Sequence, residues 1–233
     1  MQAIVLAGGR GERLRAIVSG VPKPMAPIAD RPFLAYLLEY LSSQGITRVV
    51  LALGYLADDV VRAFGARHAG LELSYAIEQA PLGTGGALRN ALRLIEHFPV
   101  FALNGDTYLE LDYRAMLRAH RDAATRLTMA VREVAESGRY GRAVIDSGRI
   151  SRFEAAGEAR PGRINAGVYL LADDLLADPT LPEAFSFEKD FLEPRIGTLR
   201  PLAFETNAYF IDIGVPEDYR RAQRELPTRV LKR

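Results

Sequence analysis

The chain is predicted to fold as an α/β domain built on a central sheet flanked by helices, and three observations predict it. The apolar, β-branched run at residues 3–6 reads as a strand buried on both faces and 48–53 as a second buried strand, with further strands over 71–77 and 99–103. Segments of helical periodicity alternate with them, which argues for parallel strands with helices on both sides. Glycine-rich connections leave the carboxyl ends of these strands, where open α/β sheets bind ligands.

The first strand stops at Gly8. Glycines at 8, 9 and 11 let backbone N–H groups approach a phosphate or a base with no Cβ in the way, and Arg13 and Lys23 can add charge. Three familiar phosphate loops do not fit. Leu14 stands where a dinucleotide fingerprint needs its third glycine, the Gly-Lys-Ser/Thr of a P-loop is missing, and so are the partner motifs of a kinase glycine loop.

Pro32 introduces a helix in which Phe33, Leu34, Leu37, Leu38 and Leu41 recur at helical spacing, ended by Gly45. A strand over 48–53, helical residues 58–64 and a strand over 71–77 follow. Residues 78–86 then form a second glycine-rich connection ahead of a helix over 87–95. The strand at 99–103 runs into Asn104, Gly105 and Asp106, and a carboxylate so placed suits Mg²⁺, which takes one or two protein carboxylates and completes its shell with phosphates and water. A helix over 113–123 and a strand over 127–131 come next. Residues 143–145 and 150–153 then form a hairpin about Asp146, Ser147 and Gly148, so antiparallel structure mixes in. A last strand over 208–213 carries Asp212, whose burial among apolar neighbours demands a partner, and Pro216 opens the final helix. His68, His97 and His120 lack metal-ligand spacing and are expected at the surface.

Composition narrows the function. Of 233 residues, 48% are hydrophobic and 25% charged, with a formal net charge of +1. These values fit a globular domain and show no global pull toward nucleic acid or membrane, so a small substrate is expected. The absence of cysteine excludes disulfides and thiolate chemistry and is compatible with a reducing cytoplasm. With no charged-then-apolar leader and no apolar run of spanning length, the expectation is a soluble cytoplasmic protein.

The string from Leu6 to Met25 resembles the signature of the sugar nucleotidyltransferases, the sugar-1-phosphate nucleotidylyl (pyrophosphorylase) family. That signature reads LAGGxGxRL followed by PKPM, and every fixed position is present. The resemblance extends over about residues 1–226 through PLGTGG, NGD, SGRYG, FE, INAGVYLL, SFEKD and the D-x-G at 212–214. It implies a Rossmann-like nucleotidyltransferase (GT-A-like) fold with a mixed central sheet and a smaller antiparallel part at the sugar site. That would be a single domain with a nucleotide-binding half over about 1–110, a sugar-phosphate half over about 111–226, and a tail over 227–233.

The same resemblance implies the site. Leu6, Ala7, Gly8, Gly9, Gly11, Gly83 and Thr84 would contact the nucleotide, together with Gly85 and Gly86 of the same block. Glu78 falls where the family reads the base. A carboxylate there accepts from the N1–H and amino group of guanine and repels the carbonyls of thymine or uracil, so GTP is the expected nucleotide. Arg13 would hold the β- and γ-phosphates, Lys23 the reacting phosphates, and Asp106 with Asp212 would bind Mg²⁺. Asn104, Tyr140, Gly141, Glu154, Asn165 and Gly167 become sugar-phosphate contacts. One departure stands out: many relatives place a lysine after this glutamate, whereas Ala155 follows Glu154 here; Arg160, Arg163 or Lys189 could replace that cation, with Lys189 preferred. The implied reaction joins a nucleoside triphosphate to a sugar 1-phosphate, nearest to the branch that takes GTP and a manno-heptose 1-phosphate. Mannose 1-phosphate, a MurNAc-type sugar phosphate, or a sensor that binds without turnover are the alternatives. A homo-oligomer is allowed.

Overall fold

The computed structural model describes residues 1–9, 18 and 20–230. The chain opens with strand β1 (Gln2–Leu6), whose residues from Gln2 to Val5 are all buried. A short turn at Lys23–Met25 leads to the small hairpin of β2 (Pro27–Ile28) and β3 (Arg31–Pro32). Helix α1 (Phe33–Ser43) starts directly after Pro32, whose extended backbone cannot continue a helix backwards. It ends where Gly45 takes a φ of 84°, the left-handed conformation that commonly closes helices.

Strand β4 (Arg48–Leu53) precedes α2 (Ala57–Phe64), whose first turn carries Asp58 and Asp59 against the positive end of the helix dipole. After β5 (Arg67–His68) and β6 (Leu71–Ile77) comes α3 (Gly83–Leu92). Strands β7 (Val100–Asn104) and β8 (Thr107–Leu109) are followed by α4 (Tyr113–Asp122), capped where the Asp112 carboxylate accepts from Ala115 N–H at 2.8 Å.

The second half holds β9 (Leu127–Val134), the hairpin of β10 (Arg142–Asp146) and β11 (Arg149–Glu154), and the long β12 (Gly162–Leu171). The hairpin turns through Ser147 and Gly148, both at positive φ, as its Asp-Ser-Gly sequence predicts. A π-helical turn at Phe187–Leu192, α5 (Glu193–Leu199), β13 (Leu202–Thr206), β14 (Phe210–Asp212) and α6 (Pro216–Val230) complete the described residues. Helix α6 continues through Val230, past the expected start of a tail at 227.

Ten of these strands form one mixed sheet in the order β10-β11-β13-β9-β12-β7-β1-β4-β6-β5. Strands β7, β1, β4 and β6 are mutually parallel, while β12 runs antiparallel to both β7 and β9. Alternate residues of β1, β4 and β7 supply two cores. Ala3, Val5, Val49, Leu51, Phe101 and Leu103 face α1, α2, α4 and α6, whereas Ile4, Val50, Ala52 and Ala102 face α3 and the aromatic residues 185–191. Burial on both faces explains why these strands read as unbroken apolar runs.

Three differences from the sequence reading have physical causes. Helix α3 begins at Gly83, within the stretch read as a loop, and three positions of its first turn, Gly83, Gly85 and Gly86, face the 183–185 segment so closely that a Cβ would clash there. The strand expected over 208–213 is shorter and leaves the main sheet to pair with β8 in a separate two-stranded ribbon. His120 is buried at 5% exposure rather than on the surface, and its Nδ1 hydrogen-bonds Thr128 Oγ1 at 2.8 Å, which satisfies the polar ring inside the core.

Candidate active site

The chain lays down β1, β4 and β6 in one direction and then crosses back to place β7 on the other side of β1, so the strand order reverses between β1 and β7. Such a switch point opens a crevice at the carboxyl ends of the strands. Here Leu6 is level with Asn104, and the Gly105 N–H donates to the Leu6 carbonyl at 2.8 Å. A Cβ on Gly105 would stand 2.6 Å from that carbonyl oxygen, so the close approach of the two strand ends requires glycine.

A cavity of about 610 Å³ occupies this crevice, within the size range of small-molecule sites. Its wall is built from the ends of four parallel strands: Leu6 to Gly9 after β1, Gly54 and Tyr55 after β4, Glu78 to Pro81 after β6, and Asn104 with Asp106 after β7. Lys23, Gly83, Thr84 and Glu188 close it. Gly11 and Arg13 lie outside the described residues.

The charged centre comes from three distant stretches. Asp106 follows β7, Lys23 opens the turn between two prolines, and Asp212 ends β14. The ribbon brings them together: Asp212 pairs in register with Thr107, and Ile213 N–H donates to the Asp106 carbonyl at 3.0 Å. The Lys23 ammonium forms an ion pair with Asp106 and lies 3.9 Å from Asp212 Oδ1. Burial pushes the Asp212 carboxyl above its usual range. The Asp106 charge adds to this, while Lys23, the Gly214 N–H at 2.7 Å and Arg139 oppose it. With all three ionised, one ammonium stands against two carboxylates, a sum of −1.

At the other end of the cavity, Glu78 lies over two glycines. A Cβ on Gly8 would come within 3.1 Å of Glu78 Oε1, and one on Gly54 would overlap it. Oε2 accepts from the Leu82 N–H at 3.0 Å, which fixes the carboxylate at the mouth of α3. The sequence reading passed over Gly54, although a glycine directly after an apolar strand is the same signal that drew attention to Gly8.

The expected PLGTGG contacts divide. Gly83 and Thr84 line the cavity, whereas Gly85 and Gly86 do not, because their bare Cα positions receive the Phe185 ring and the Glu183 carbonyl. The Thr84 hydroxyl is engaged within the protein, donating to Glu188 Oε2 at 2.9 Å and accepting from Phe187 N–H at 2.8 Å.

The expected sugar-phosphate residues fall into three groups. Asn104 lines the cavity, and Asn165 and Gly167 stand behind it, where β12 shifts register against β9. A Cβ on Gly167 would come within 2.8 Å of Asn104 Nδ2. Tyr140 lies on the Asp212 side, its ring 6.1 Å from that of Phe210 and its hydroxyl bonded by Arg139. Burial raises the Tyr140 pKa, against the opposing hydrogen bond from Arg139. Gly141 adopts a φ of 72° beside the Glu154 carbonyl. Glu154 itself sits in a separate pocket of about 230 Å³, bound by Arg142 and within 3.4 Å of both Arg152 and Arg160.

Lys189 does not line the cavity. Phe187 and Phe191 turn into the core and stack with ring centroids 5.6 Å apart, which leaves Lys189 exposed and Glu188 on the cavity wall. Among the described residues no group of three or more acidic, histidine or cysteine side chains is arranged to hold a metal. No described helix is long and apolar enough to cross a membrane.

Known proteins share this architecture and sequence. A D-glycero-α-D-manno-heptose 1-phosphate guanylyltransferase of Aneurinibacillus thermoaerophilus is 44% identical over 226 residues, covering 97% of this chain and 98% of the relative. Its Campylobacter jejuni counterpart is 40% identical over 220 residues, covering 94% and 97%. The crystal structure of HddC from Yersinia pseudotuberculosis complexed with GMP-PN superposes with a TM-score of 0.87 at 40% identity, over 96% of this chain and 98% of that one. The family model described as Nucleotidyl transferase matches residues 2–229, and with both the switch-point crevice and nearly the whole length accounted for, the chain belongs to that family.

Proposed function

We propose that the protein transfers the guanylyl group of GTP to D-glycero-α-D-manno-heptose 1-phosphate, giving GDP-heptose and pyrophosphate. The observation that carries this reading is the meeting of Lys23, Asp106 and Asp212 at the switch-point crevice, in a chain 44% and 40% identical to two guanylyltransferases of that specificity.

A phosphate oxygen of the sugar 1-phosphate attacks the α-phosphorus of GTP, the bond from that phosphorus to the β-bridging oxygen breaks, and pyrophosphate leaves with the electron pair. No protein nucleophile is needed. Catalysis consists of positioning two anions and neutralising the charge that moves onto the leaving group. Lys23 stays with the reacting phosphates. Arg13, outside the described residues, would hold the β- and γ-phosphates as the family signature implies. Glu78, whose Oε1 has no hydrogen-bond partner among the described residues, would accept from the guanine N1–H and amino group.

Mg²⁺ fits the donor set, because two carboxylates, which with Lys23 sum to −1, leave room for phosphate and water oxygens in its shell. Bound at Asp106 and Asp212, it would supply charge stabilisation at the α-phosphate. The product is an activated heptose, which a glycosyl-transfer reaction must consume, as in supply of capsule or lipopolysaccharide from the cytoplasm.

The test pairs four nucleoside triphosphates with a panel of heptose, mannose and MurNAc 1-phosphates, with and without Mg²⁺, and reads pyrophosphate. Turnover restricted to GTP and the heptose phosphate, and abolished by chelator, is expected. Nucleotide binding without turnover in any pair would leave only a sensor.

A further inference from the structure

Three carboxylates line the large cavity among the described residues: Glu78, Asp106 and Glu188. The first two have tasks in the proposed reaction, and the third has none. Glu188 is also fixed in place. Its Oε1 accepts from the Tyr169 hydroxyl at 3.1 Å and its Oε2 from the Thr84 hydroxyl at 2.9 Å, so α3 and β12 set its orientation together. Tyr169 is fully buried and accepts in turn from Asn165 Nδ2 at 2.6 Å.

A carboxylate offers about four lone-pair sites; Oε2 also has a longer contact from the Ser186 hydroxyl at 3.5 Å, while Oε1 takes the Tyr169 hydroxyl alone among the described residues and keeps room for a further donor. No arginine or lysine among the described residues forms an ion pair with it. A half-buried carboxylate so placed is best satisfied by a ligand that brings O–H donors, and it repels phosphate. The part of a substrate that lies against it is therefore uncharged and hydroxylated. Both the ribose of the nucleotide and the acceptor sugar have that chemistry. The hydrogen-bond chain from Glu188 leads through Tyr169 and Asn165 into β12, whose Gly167 packs on Asn104, which points to the sugar.

We propose that Glu188, held by Thr84 and Tyr169, accepts hydroxyl hydrogens of the acceptor sugar and decides which sugar 1-phosphate the site admits. This rests on the guanylyl-transfer reading above. It also accounts for Lys189 lying outside the cavity: the turn at Phe187–Leu192 presents a sugar acceptor, not a phosphate partner.

The variant Glu188→Gln keeps size and one acceptor oxygen. It is to be compared with the wild type in steady-state kinetics on D-glycero-α-D-manno-heptose 1-phosphate and its monodeoxy analogues. The KM for the heptose phosphate should rise about tenfold to a hundredfold while the KM for GTP stays within about twofold. One deoxy analogue should lose as much on the wild type and lose nothing further on the variant, the mark of a direct contact. An unchanged sugar KM, or equal penalties for every deoxy analogue, overturns the proposal. A rise in the GTP KM instead assigns Glu188 to the ribose and overturns it too. If the wild type releases no pyrophosphate at all, the guanylyl-transfer reading itself has failed. Calorimetric binding of the heptose phosphate to both proteins then still decides Glu188, with equal affinities counting against it.

Discussion

Lys23 and Asp212, from opposite ends of the chain, come within 3.9 Å of one another, and Lys23 at the same time forms an ion pair with Asp106. The ammonium thus stands where two negative side chains converge, held by the Pro-Lys-Pro turn on one side and the β8–β14 ribbon on the other. In the proposed reaction these three side chains would supply the charge that meets the anionic substrates.

Removing either end of that ion pair should cost chemistry before it costs structure. Lys23→Ala and Asp106→Asn are expected to keep the wild-type circular dichroism spectrum and lose about a hundredfold or more in pyrophosphate release. Near-normal turnover in either would remove that residue from the reacting centre.

The Glu78 carboxylate should choose the base, and Gly54 should hold the space for it. Glu78→Ala is expected to cut the preference for GTP over the other triphosphates by about tenfold or more, as loss of a discriminating hydrogen-bond pair does. Gly54→Ala should mimic it, since the added methyl overlaps Glu78 Oε1. A base preference left intact by both would show that guanine is read elsewhere.

Gly85 faces the Phe185 ring rather than the cavity. Gly85→Ala should therefore destabilise the fold by about 1–3 kcal/mol through overpacking, measured by denaturant melts. A variant of unaltered stability but weakened nucleotide binding would reverse this assignment.

His120 makes an acid-sensitive contribution. Burial lowers its folded pKa, with the Arg121 charge adding to the effect. The folded protein therefore binds fewer protons here than the unfolded chain, whose histidine titrates near about 6.5. The stabilisation is full above that pH and is lost as pH falls through the folded pKa. Thermal melts of His120→Asn, which can still reach Thr128, should show a shallower loss of stability below about pH 6.5 than the wild type. Parallel profiles would exclude the buried ring as a source. His68, lowered mainly by its own burial, contributes in the same direction and remains in both proteins.

Local signals made much of the fold legible. Apolar runs buried on both faces marked β1, β4 and β7, and the Asp-Ser-Gly turn marked the β10–β11 hairpin, because each depends on backbone preference and burial within a few residues. Long-range pairing was harder. Strand β13 lies parallel beside β9, and β14 leaves the sheet for β8, in each case because of a partner far along the chain.

The sequence by itself determined the family signature, the glycine-bearing strand ends and the residue types that meet at the reacting centre, since these are properties of short contiguous stretches. Only the tertiary structure decided which of them share a cavity. It set Gly85 and Gly86 against Phe185 and Glu183 instead of on the cavity wall, and it turned Lys189 outward. It also set Glu188 against Thr84 and Tyr169 on the cavity wall. The reason is steric. Whether a bare Cα admits a ligand or a neighbouring ring, and which side of a turn faces the substrate, depends on side chains packed from elsewhere in the chain.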